Sequence, residues 1–553
     1  MQEGSSIWGY LEKQHRAVNK RIDWVWIIVL LLAAALLFSV NLGGLPLQDG
    51  DEATVAQVAR EICHAPAGSM GWLYPTLGGE PYHNKPPLIH LLIAGAYSLG
   101  GVSEWTTRLP GSILTAFSVP LLYTIGREIF RQRWAAIYSA LIYLTMLPIV
   151  RYGRLAILDG AVVSFFMIMM LCLLRSRRDL RYCLGIGIGL GLICLTQGVL
   201  GVLLAFIAII FLFWDTPRLL SSYYFWIGIC IGMLPVAAWY YAQLLHYGYS
   251  FAQVGLINQS LSRVGTAIEK NSAPPWYYVI EIFKWTWPWL IFLPQTVRSV
   301  WENLNLSWAK LLVVWSVVYL VTISLMSIKL PWYLLPIYPS LALAFGNELA
   351  EIENLPITSS YPRTWVAGLS ILAVVTSAAS IYLSSTTPHK TDLQLIFAAI
   401  AVTMTLAAIL AERGNGQFLK ILLWGSYVSL LLLMKSNYWL WELWDAYSVK
   451  PVAEMIRQAD PPVNKIYTSY SNHRPSLDFY SDSEVILSER HKLRKRYRTI
   501  VPAPVSELQY YWQYSRQPYF LIHADLLKEL QLESMKRISQ AEDWILITKE
   551  PNR

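Results

Sequence analysis

Three carboxylates within four positions are the first residues in this sequence whose types and spacing suit chemistry. Asp49, Asp51 and Glu52 lie in "LPLQDGDEATVAQVAREICHAPAGSMGWLYPTLGGEPYHNKPPL", just past an apolar run. Acids this close together suit a proton acceptor, a metal ligand or a clamp on sugar hydroxyls. A second role fits as well: Asp51 and Glu52 would begin the helix "EATVAQVAREI" and complement its dipole, and on spacing alone that role weighs more. A fourth acid, Asp159, follows Arg151 and Arg154 in "RYGRLAILDG". In isolation it reads as an interfacial acid paired with a nearby arginine. Ionisable groups at membrane depth are costly, however, and commonly mark a site.

Three basic residues complement the acids. Lys85 in "HNKPPL", Arg263 in "LSRVGTAIEKNSAPPWYY" and Lys329 in "SIKLPWYLLPIYP" each stand beside proline or aromatic residues at the end of an apolar run. Long basic side chains there either snorkel to lipid headgroups or hold a phosphate, Lys as a point charge and Arg as a bidentate fork. Carboxylates and cations gathered at one membrane surface suggest transfer of a group from a membrane-anchored phosphate. The acids would orient or deprotonate the incoming nucleophile, and the cations would stabilise charge on the departing phosphate. Side-chain chemistry alone does not identify the group.

The elements that position these residues follow from composition. The chain has 553 residues, 55% of them apolar and 14% charged, with 24 Trp and 33 Tyr. A soluble protein carries about 25% charge, so a polytopic membrane protein is expected. Disorder, a coiled coil and a disulfide-stapled secreted domain are excluded by the same numbers. Cys63, Cys172, Cys183, Cys194 and Cys230 form neither a disulfide framework nor a zinc pattern. The net charge of +8 is assigned to Lys and Arg on the cytoplasmic side, and no nucleic-acid partner is expected.

Apolar segments near 24–42, 106–125, 134–150, 160–174, 182–196, 198–214, 222–242, 277–297, 311–327, 332–349, 365–384, 393–411 and 419–436 make about thirteen candidate transmembrane helices. Residues 1–23 are polar, carry Lys13, Arg16, Lys20 and Arg21, and lead into a first span that is expected to be retained. With a cytoplasmic N-terminus, the loops bearing Arg127, Arg131 and Arg133, then Arg175, Arg177, Arg178 and Arg181, then Arg218, Arg298, Lys310, Arg363, Arg413 and Lys420 all fall inside. An odd count then places the tail outside. The apolar segment 86–101 would invert every later loop if it crossed, so it reads as a partly embedded juxtamembrane helix. Residues 437–553 are richer in charge and alternate β-like runs such as "RTIVPAP" and "DWILITK" with a helical pattern. They form a C-terminal extracytoplasmic α/β domain beside a transmembrane domain of residues 1–436, whose outer-face juxtamembrane helices occupy about 50–101 and 243–276.

The run "QDGDEATVAQVAREI", followed by "YPTLGGEPYHNKPPLIHLL", "GRLAILD", "LTQG", "APPWYY" and "KLPWYLLPIYP", resembles the GT-C superfamily of polyprenyl-phosphate-sugar glycosyltransferases. Within it, the sequence is similar to the bacterial aminoarabinose transferases acting on lipid A and to the protein O-mannosyltransferase family. The likeness covers essentially the whole chain, "RPSLDFY" in the tail included. It implies transfer of a sugar, with inversion, from an undecaprenyl- or dolichyl-type phosphate carrier to a lipid, glycan or protein acceptor on the outer face.

Carried over, Asp51 matches the family's first-loop acid, with Glu52 beside it, and Asp159 its second-loop acid. Lys85 and Arg263 match positions associated with the carrier phosphate, and Lys329 and Tyr333 match a late "K-x-x-x-Y" element of the same cavity. Asp49 and Tyr82 complete the substrate-binding candidates. The chain also departs from the family: Asn271 replaces a His before "P-x-W-Y-Y", and Asn84 stands where Glu is frequent ahead of Lys85. Both changes remove metal ligands. No cofactor is assigned, and a divalent metal ion on the acids stays open, with no ligands named.

In the tail, "ERHKLRKRYR" concentrates Arg490, Lys492, Arg494, Lys495, Arg496 and Arg498. A solvated face weighs more there than a patch steering an anionic acceptor. Tryptophans such as Trp276, Trp285, Trp287, Trp289, Trp439, Trp441 and Trp444 read as an interfacial belt. The rival functional class is a transporter or flippase of lipid-linked sugars. It should show repeated halves, and the sequence has no such internal symmetry.

Overall fold

Without water to receive its hydrogen bonds, a long apolar run must satisfy its backbone internally and therefore folds as a helix. The computed structural model of the protein describes residues 2–66, 68–255, 273–353, 361–385, 390–445, 448–461, 465–470, 474–481, 499–503, 505–515, 518–530, 532 and 534–550. Arg263, Asn271 and the basic run of the tail lie outside them. Among the described residues, nine helices are long and apolar enough to cross a bilayer: Asn19–Ser39, Glu104–Ile129, Asp159–Ser176, Leu180–Gln197, Tyr223–Tyr247, Ser307–Leu325, Arg363–Ser385, Thr391–Glu412 and Gln417–Lys435. The protein is a multi-pass helical membrane protein.

The other four expected spans take different forms. Segment 134–150 is a pair, Arg133–Leu144 and Leu147–Gly153, bent by 58°. Segment 198–214 is Leu200–Asp215, a helix of 16 residues. Segment 277–297 is divided among Tyr277–Trp285, Trp289–Phe292 and Leu293–Glu302, and segment 332–349 begins as a 3₁₀ turn, Pro331–Ile337, before Tyr338–Glu353. Proline accounts for most of these interruptions, because it lacks an N–H and its ring clashes with the preceding turn. Pro148, Pro288 and Pro331 each stand where a new helical piece starts. The apolar segment 86–101 forms Leu88–Gly100, 13 residues. At 1.5 Å per residue this is about 20 Å, short of the hydrocarbon thickness.

Two compact units emerge from the chain path. The first comprises 1–42, 83–89 and 109–439. Its helices used below are α1 (Gln2–Ser39), α4 (Glu104–Ile129, from Leu109 onward), α5 (Arg133–Leu144), α6 (Leu147–Gly153), α7 (Asp159–Ser176), α8 (Cys183–Gln197), α9 (Leu200–Asp215) and α10 (Tyr223–Tyr247). Near the N-terminal end of its first span, Asp23 accepts hydrogen bonds from Tyr123 at 2.6 Å and from Arg127 and Arg133 at 3.1 Å each. Asp215 pairs with Arg177 at 3.0 Å. Several basic residues of the presumed inner loops therefore also lock helix ends.

Helices α8 and α10 pack through glycine. A Cβ on Gly187 would stand 1.7 Å from the Gly228 carbonyl oxygen, and one on Gly232 would stand 1.9 Å from that of Gly187. Small residues allow this approach in a lipid environment, where dispersion between close backbones drives association. Because the obstructing atoms are backbone, Gly187→Ala must push the two helices apart. It is expected to destabilise the protein by about 1–3 kcal/mol, the usual cost of overpacking. Detergent unfolding of the variant measures this, and an unchanged unfolding midpoint would contradict it.

The second unit comprises 43–82, 90–108 and 440–553. The first loop therefore groups with the tail, an association that the expected division at residue 436 does not include. Helices α2 (Asp51–Cys63) and α3 (Leu88–Gly100, from His90 onward) and the short hairpin β1 (Thr76–Leu77) and β2 (Glu80–Pro81) come from the first loop. The tail supplies β3 (Lys465–Thr468), β4 (Thr499–Pro502), β5 (Tyr519–His523), β6 (Met535–Ala541) and β7 (Trp544–Lys549). They form one sheet in the order β4-β3-β5-β7-β6. Strands β3, β4 and β5 run parallel, while β7 pairs antiparallel with β5 and β6. In the central strand the side chains alternate: Leu521 packs with Val452, Ile456 and Leu546, and Phe520 and Ile522 pack with Leu508, Trp512 and Ile545. Both faces of the sheet are buried, as the crossover helices of a parallel pair require.

Candidate functional site

Within the first unit, a cavity of about 350 Å³ gathers residues from distant parts of the sequence. Its polar lining includes Asn84, Lys85, Gln197, Tyr240, Thr322 and Tyr333, and Val199, Leu200, Leu203, Ile323, Leu325 and Met326 supply apolar wall. Lys85 is half-buried and is followed by two buried prolines. Proline fixes φ, so the "KPP" segment holds the lysine on a stiff backbone. The helix break between α8 and α9 contributes Gln197 to Leu200, and Gly198 adopts φ 58° to make the turn. A side chain there would be strained.

The "KLPWY" segment shapes another part of the wall. The Tyr319 hydroxyl donates to the Tyr333 carbonyl at 2.8 Å, and the Tyr278 hydroxyl accepts from the Leu330 N–H at 3.3 Å. Lys329 is 5% exposed and its ammonium donates to the carbonyls of Ile323 at 3.2 Å, Ser324 at 2.6 Å and Met326. These carbonyls close the helix ending at Leu325, where a cation is favoured by the dipole and by the unpaired C=O groups. Lys329 thus secures the segment that carries Tyr333.

Asp159 is the first residue of α7 and is 4% exposed. Its charge acts on Tyr278 and Tyr319, so it lies close to the tyrosines of this wall. The arginines preceding it stitch α6 to other elements of the first unit. Arg154 donates to the carbonyls of Leu37, at 3.0 Å, and Val40, at the end of α1, and its guanidinium stacks 4.5 Å from the Trp439 ring centre. Arg151 donates to the Trp439 carbonyl at 2.9 Å. His83 packs edge-on against Tyr247 at 4.6 Å and Phe251 at 5.5 Å, and burial pushes its imidazole below the usual histidine range. It is a packed, neutral side chain.

The first-loop acids belong to the second unit, where each has a different setting. Asp51 is exposed at the start of α2, and Gly50, at φ 85°, occupies the capping position without a side-chain bond. The placement expected for a helix-starting acid is present, and the carboxylate remains open to water. Glu52, next to it, is 1% exposed. Both its oxygens accept from Arg108, Nε at 2.8 Å and Nη2 at 2.9 Å, and the Gln48 N–H donates to it at 2.7 Å. Arg108 also donates to the carbonyls of Leu45 and Pro46 at 2.8 Å each. Glu52 therefore fixes the turn from which Asp51 projects.

Asp49 accepts from Arg474 Nε at 2.7 Å, from the Ser476 N–H at 3.2 Å and from the Ser476 hydroxyl. Those partners open the "RPSLDFY" helix, Pro475–Ser481, so that motif anchors the first loop within this unit. Tyr82 is 6% exposed and packs edge-on against His90 at 5.5 Å. Among the described residues, no group of three His, Cys, Asp or Glu side chains is arranged to hold a metal ion.

The structure thus brings Lys85 and Tyr333 together in one cavity, with Asp159 near its tyrosine wall and Lys329 behind the same segment. Asp49, Asp51, Glu52 and Tyr82 lie in the second unit. Gln197, Tyr240 and Tyr319 are cavity residues absent from the sequence candidates. Gln197 sits in the quoted "LTQG" run, but Tyr240 is one aromatic in an apolar helix and carried no signal.

Comparison with known proteins agrees with this architecture. A family model described as dolichyl-phosphate-mannose-protein mannosyltransferase matches residues 84–241. The undecaprenyl phosphate-alpha-4-amino-4-deoxy-L-arabinose arabinosyl transferase of Pectobacterium carotovorum subsp. carotovorum (strain PC1) is 28% identical over 344 residues, 59% of this chain and 59% of that protein. The chain thus spans about three fifths of the length of that curated relative. In fold, it resembles ArnT from Cupriavidus metallidurans bound to undecaprenyl phosphate, with a TM-score of 0.73 and 17% identity over 95% of this chain and 99% of that one. It also resembles the archaeal oligosaccharyltransferase AglB from Archaeoglobus fulgidus, in complex with an inhibitory peptide and a dolichol-phosphate. There the TM-score is 0.52 and the identity 11%, over 92% of this chain and 70% of that one. The chain is thus similar in sequence to a bacterial aminoarabinose transferase and in fold to ArnT and AglB.

Proposed function

We propose that this GT-C relative is a membrane glycosyltransferase that moves a sugar, with inversion, from an undecaprenyl- or dolichyl-type phosphate carrier to a lipid, glycan or protein acceptor on the outer face of the cytoplasmic membrane. The cavity of the first unit carries the proposal: it sets a cation, Lys85, and Tyr333 among the apolar residues Leu200, Leu203, Leu325 and Met326. A lipid phosphate needs both kinds of surface, one for its anionic head and one for its prenyl chain. The curated relative's named donor, an undecaprenyl-phosphate sugar, supports the same class.

In the reaction, the bond between the anomeric carbon and the phosphate oxygen breaks as the acceptor oxygen bonds to that carbon. The electron pair leaves with the phosphate. Lys85 and Arg263 stabilise the charge it gains, as preorganised cations do in a low-dielectric site. Asp51 and Asp159 orient the acceptor, and one of them takes the proton when the acceptor is a hydroxyl. A phosphate acceptor needs no base, and the acids then act by positioning. Lys329 and Glu52 hold Tyr333 and Asp51 in place.

Topology completes the proposal. If each interrupted segment counts as one crossing, the spans number thirteen, and a cytoplasmic N-terminus leaves the C-terminal α/β domain on the outer face. The test is Asp51→Asn in the purified full chain with a hydroxyl acceptor. Transfer should fall by about 10²- to 10⁴-fold, the span of general-base contributions, while carrier binding stays intact. Unimpaired transfer would remove Asp51 from the mechanism.

A further inference from the structure

One corner of the cavity holds two polar groups that the proposed reaction leaves without a task. Gln197 ends α8, Gly198 turns the chain, and Tyr240 arrives from α10. A Cβ on Gly198 would stand 2.8 Å from the Tyr240 hydroxyl and 3.8 Å from Pro86 Cγ. The phenol, the glycine and the segment bearing Lys85 therefore meet at one point. The glycine contacts between α8 and α10 fix this meeting from below, since both helices are held at backbone distance by Gly187, Gly228 and Gly232.

Among the described residues, neither the Gln197 carboxamide nor the Tyr240 hydroxyl has a hydrogen-bond partner. Both side chains are half-buried. A polar group withdrawn from water loses free energy unless a partner replaces the water. Together they offer three N–H or O–H donors and acceptor oxygens on both groups, the complement of a sugar's hydroxyls. Apart from Lys85, the rest of the polar lining is neutral too. Asn84 and Thr322 join them, and among the described residues that line the cavity there is no carboxylate.

This matters for the kind of sugar. A sugar bearing a protonated amine would enter the cavity at a high desolvation cost unless a carboxylate met it. A sugar bearing only hydroxyls is well served by carboxamide and phenol, and a site built to hydrogen-bond hydroxyls discriminates strongly against ligands that leave it unpaired. Resting on the reading of this cavity as a site for a polyprenyl-phosphate sugar, we infer that Gln197 and Tyr240 recognise the sugar and select a neutral one over a cationic amino sugar. The chain would then differ in donor from its aminoarabinose-transferring relatives.

The experiment is competition binding on the purified full chain, with labelled undecaprenyl phosphate displaced by undecaprenyl-phosphate mannose, by undecaprenyl-phosphate 4-amino-4-deoxy-L-arabinose, or by unlabelled undecaprenyl phosphate. The wild type should bind the mannose form at least about tenfold more tightly than the amino sugar form. Gln197→Glu should move that ratio toward the amino sugar by about tenfold, and Tyr240→Phe should weaken the mannose form by several-fold. Tyr240→Phe should leave binding of undecaprenyl phosphate itself unaltered, which also reports that the variant is folded, and the Gln197→Glu sugar ratio is read against that variant's own binding of undecaprenyl phosphate. Equal binding of both sugars by the wild type, or a ratio unmoved by Gln197→Glu, would overturn the role of the pair while leaving the carrier site standing. If undecaprenyl phosphate itself failed to bind, the cavity reading and the inference would fall together.

Discussion

Lys85→Ala should lower sugar transfer by about 10²- to 10³-fold and weaken carrier binding, with the fold intact; removing one preorganised charge-stabilising group typically costs this much. Among the described residues lining the cavity, Lys85 is the only cation. The cavity has an apolar wall, so its field acts on a phosphate with less screening than at an exposed surface. In the proposed reaction the same charge would serve twice, holding the carrier in the ground state and receiving the negative charge that builds up as the glycosidic phosphate leaves. Only the second contribution raises kcat. Lys85→Ala should therefore depress kcat as well as raise KM, whereas a pure binding role would raise KM alone. Lys85→Arg should recover part of the activity, because the charge survives while the fork and its reach differ. Donor turnover and carrier binding measured on the three proteins test this, and unaltered turnover in Lys85→Ala would contradict it.

The largest effect on stability is expected at Glu52. Its side chain and that of Arg108 are both 0% exposed, and they form a bidentate pair that also ties in the Gln48 N–H and the carbonyls of Leu45 and Pro46. Glu52→Gln keeps the shape and removes the charge, so the guanidinium is left buried without its counterion. Breaking a buried pair by removing one partner costs about 3–5 kcal/mol, whereas replacing both with apolar residues of similar size is often neutral. Glu52→Gln should therefore lower the unfolding midpoint in detergent sharply. The double change Glu52→Leu with Arg108→Met should restore much of the loss but not the transfer activity, because the backbone turn that presents Asp51 also uses Arg108 at Leu45 and Pro46. A stability loss equal in the single and double variants would mean that the pair is not the unit that holds the turn.

Helices of uninterrupted apolar sequence were legible because twenty apolar residues in a row have few alternatives in lipid. The less regular spans were harder to delimit. In segments 134–150, 277–297 and 332–349, hydropathy marked the run, but Pro148, Pro288 and Pro331 decided where each helix stops. Long-range partners were not legible at all. Glu52 looked like a second catalytic acid because Arg108 lies 56 positions away, and Asp49 looked like a binding residue because Arg474 lies 425 positions away. Lys329 shows the same limit at short range: its neighbours in sequence suggested a phosphate ligand, while the fold turns the ammonium back onto three carbonyls. Lys85 stands out in the sequence as a basic residue beside prolines at the end of an apolar run. Tyr240 does not, since a phenol in an apolar helix reads the same whether it faces lipid or a cavity.

The central claim is that the protein transfers a sugar from a polyprenyl phosphate, and reconstitution into sealed vesicles tests it most directly. Undecaprenyl-phosphate sugar labelled in the sugar is supplied in the membrane together with candidate acceptors, and the label is followed both chemically and across the bilayer. The account predicts that label leaves the carrier, appears on an acceptor and releases undecaprenyl phosphate, and that Lys85→Ala blocks this. Label that crosses to the other leaflet while still joined to its carrier, with none reaching an acceptor, would contradict it.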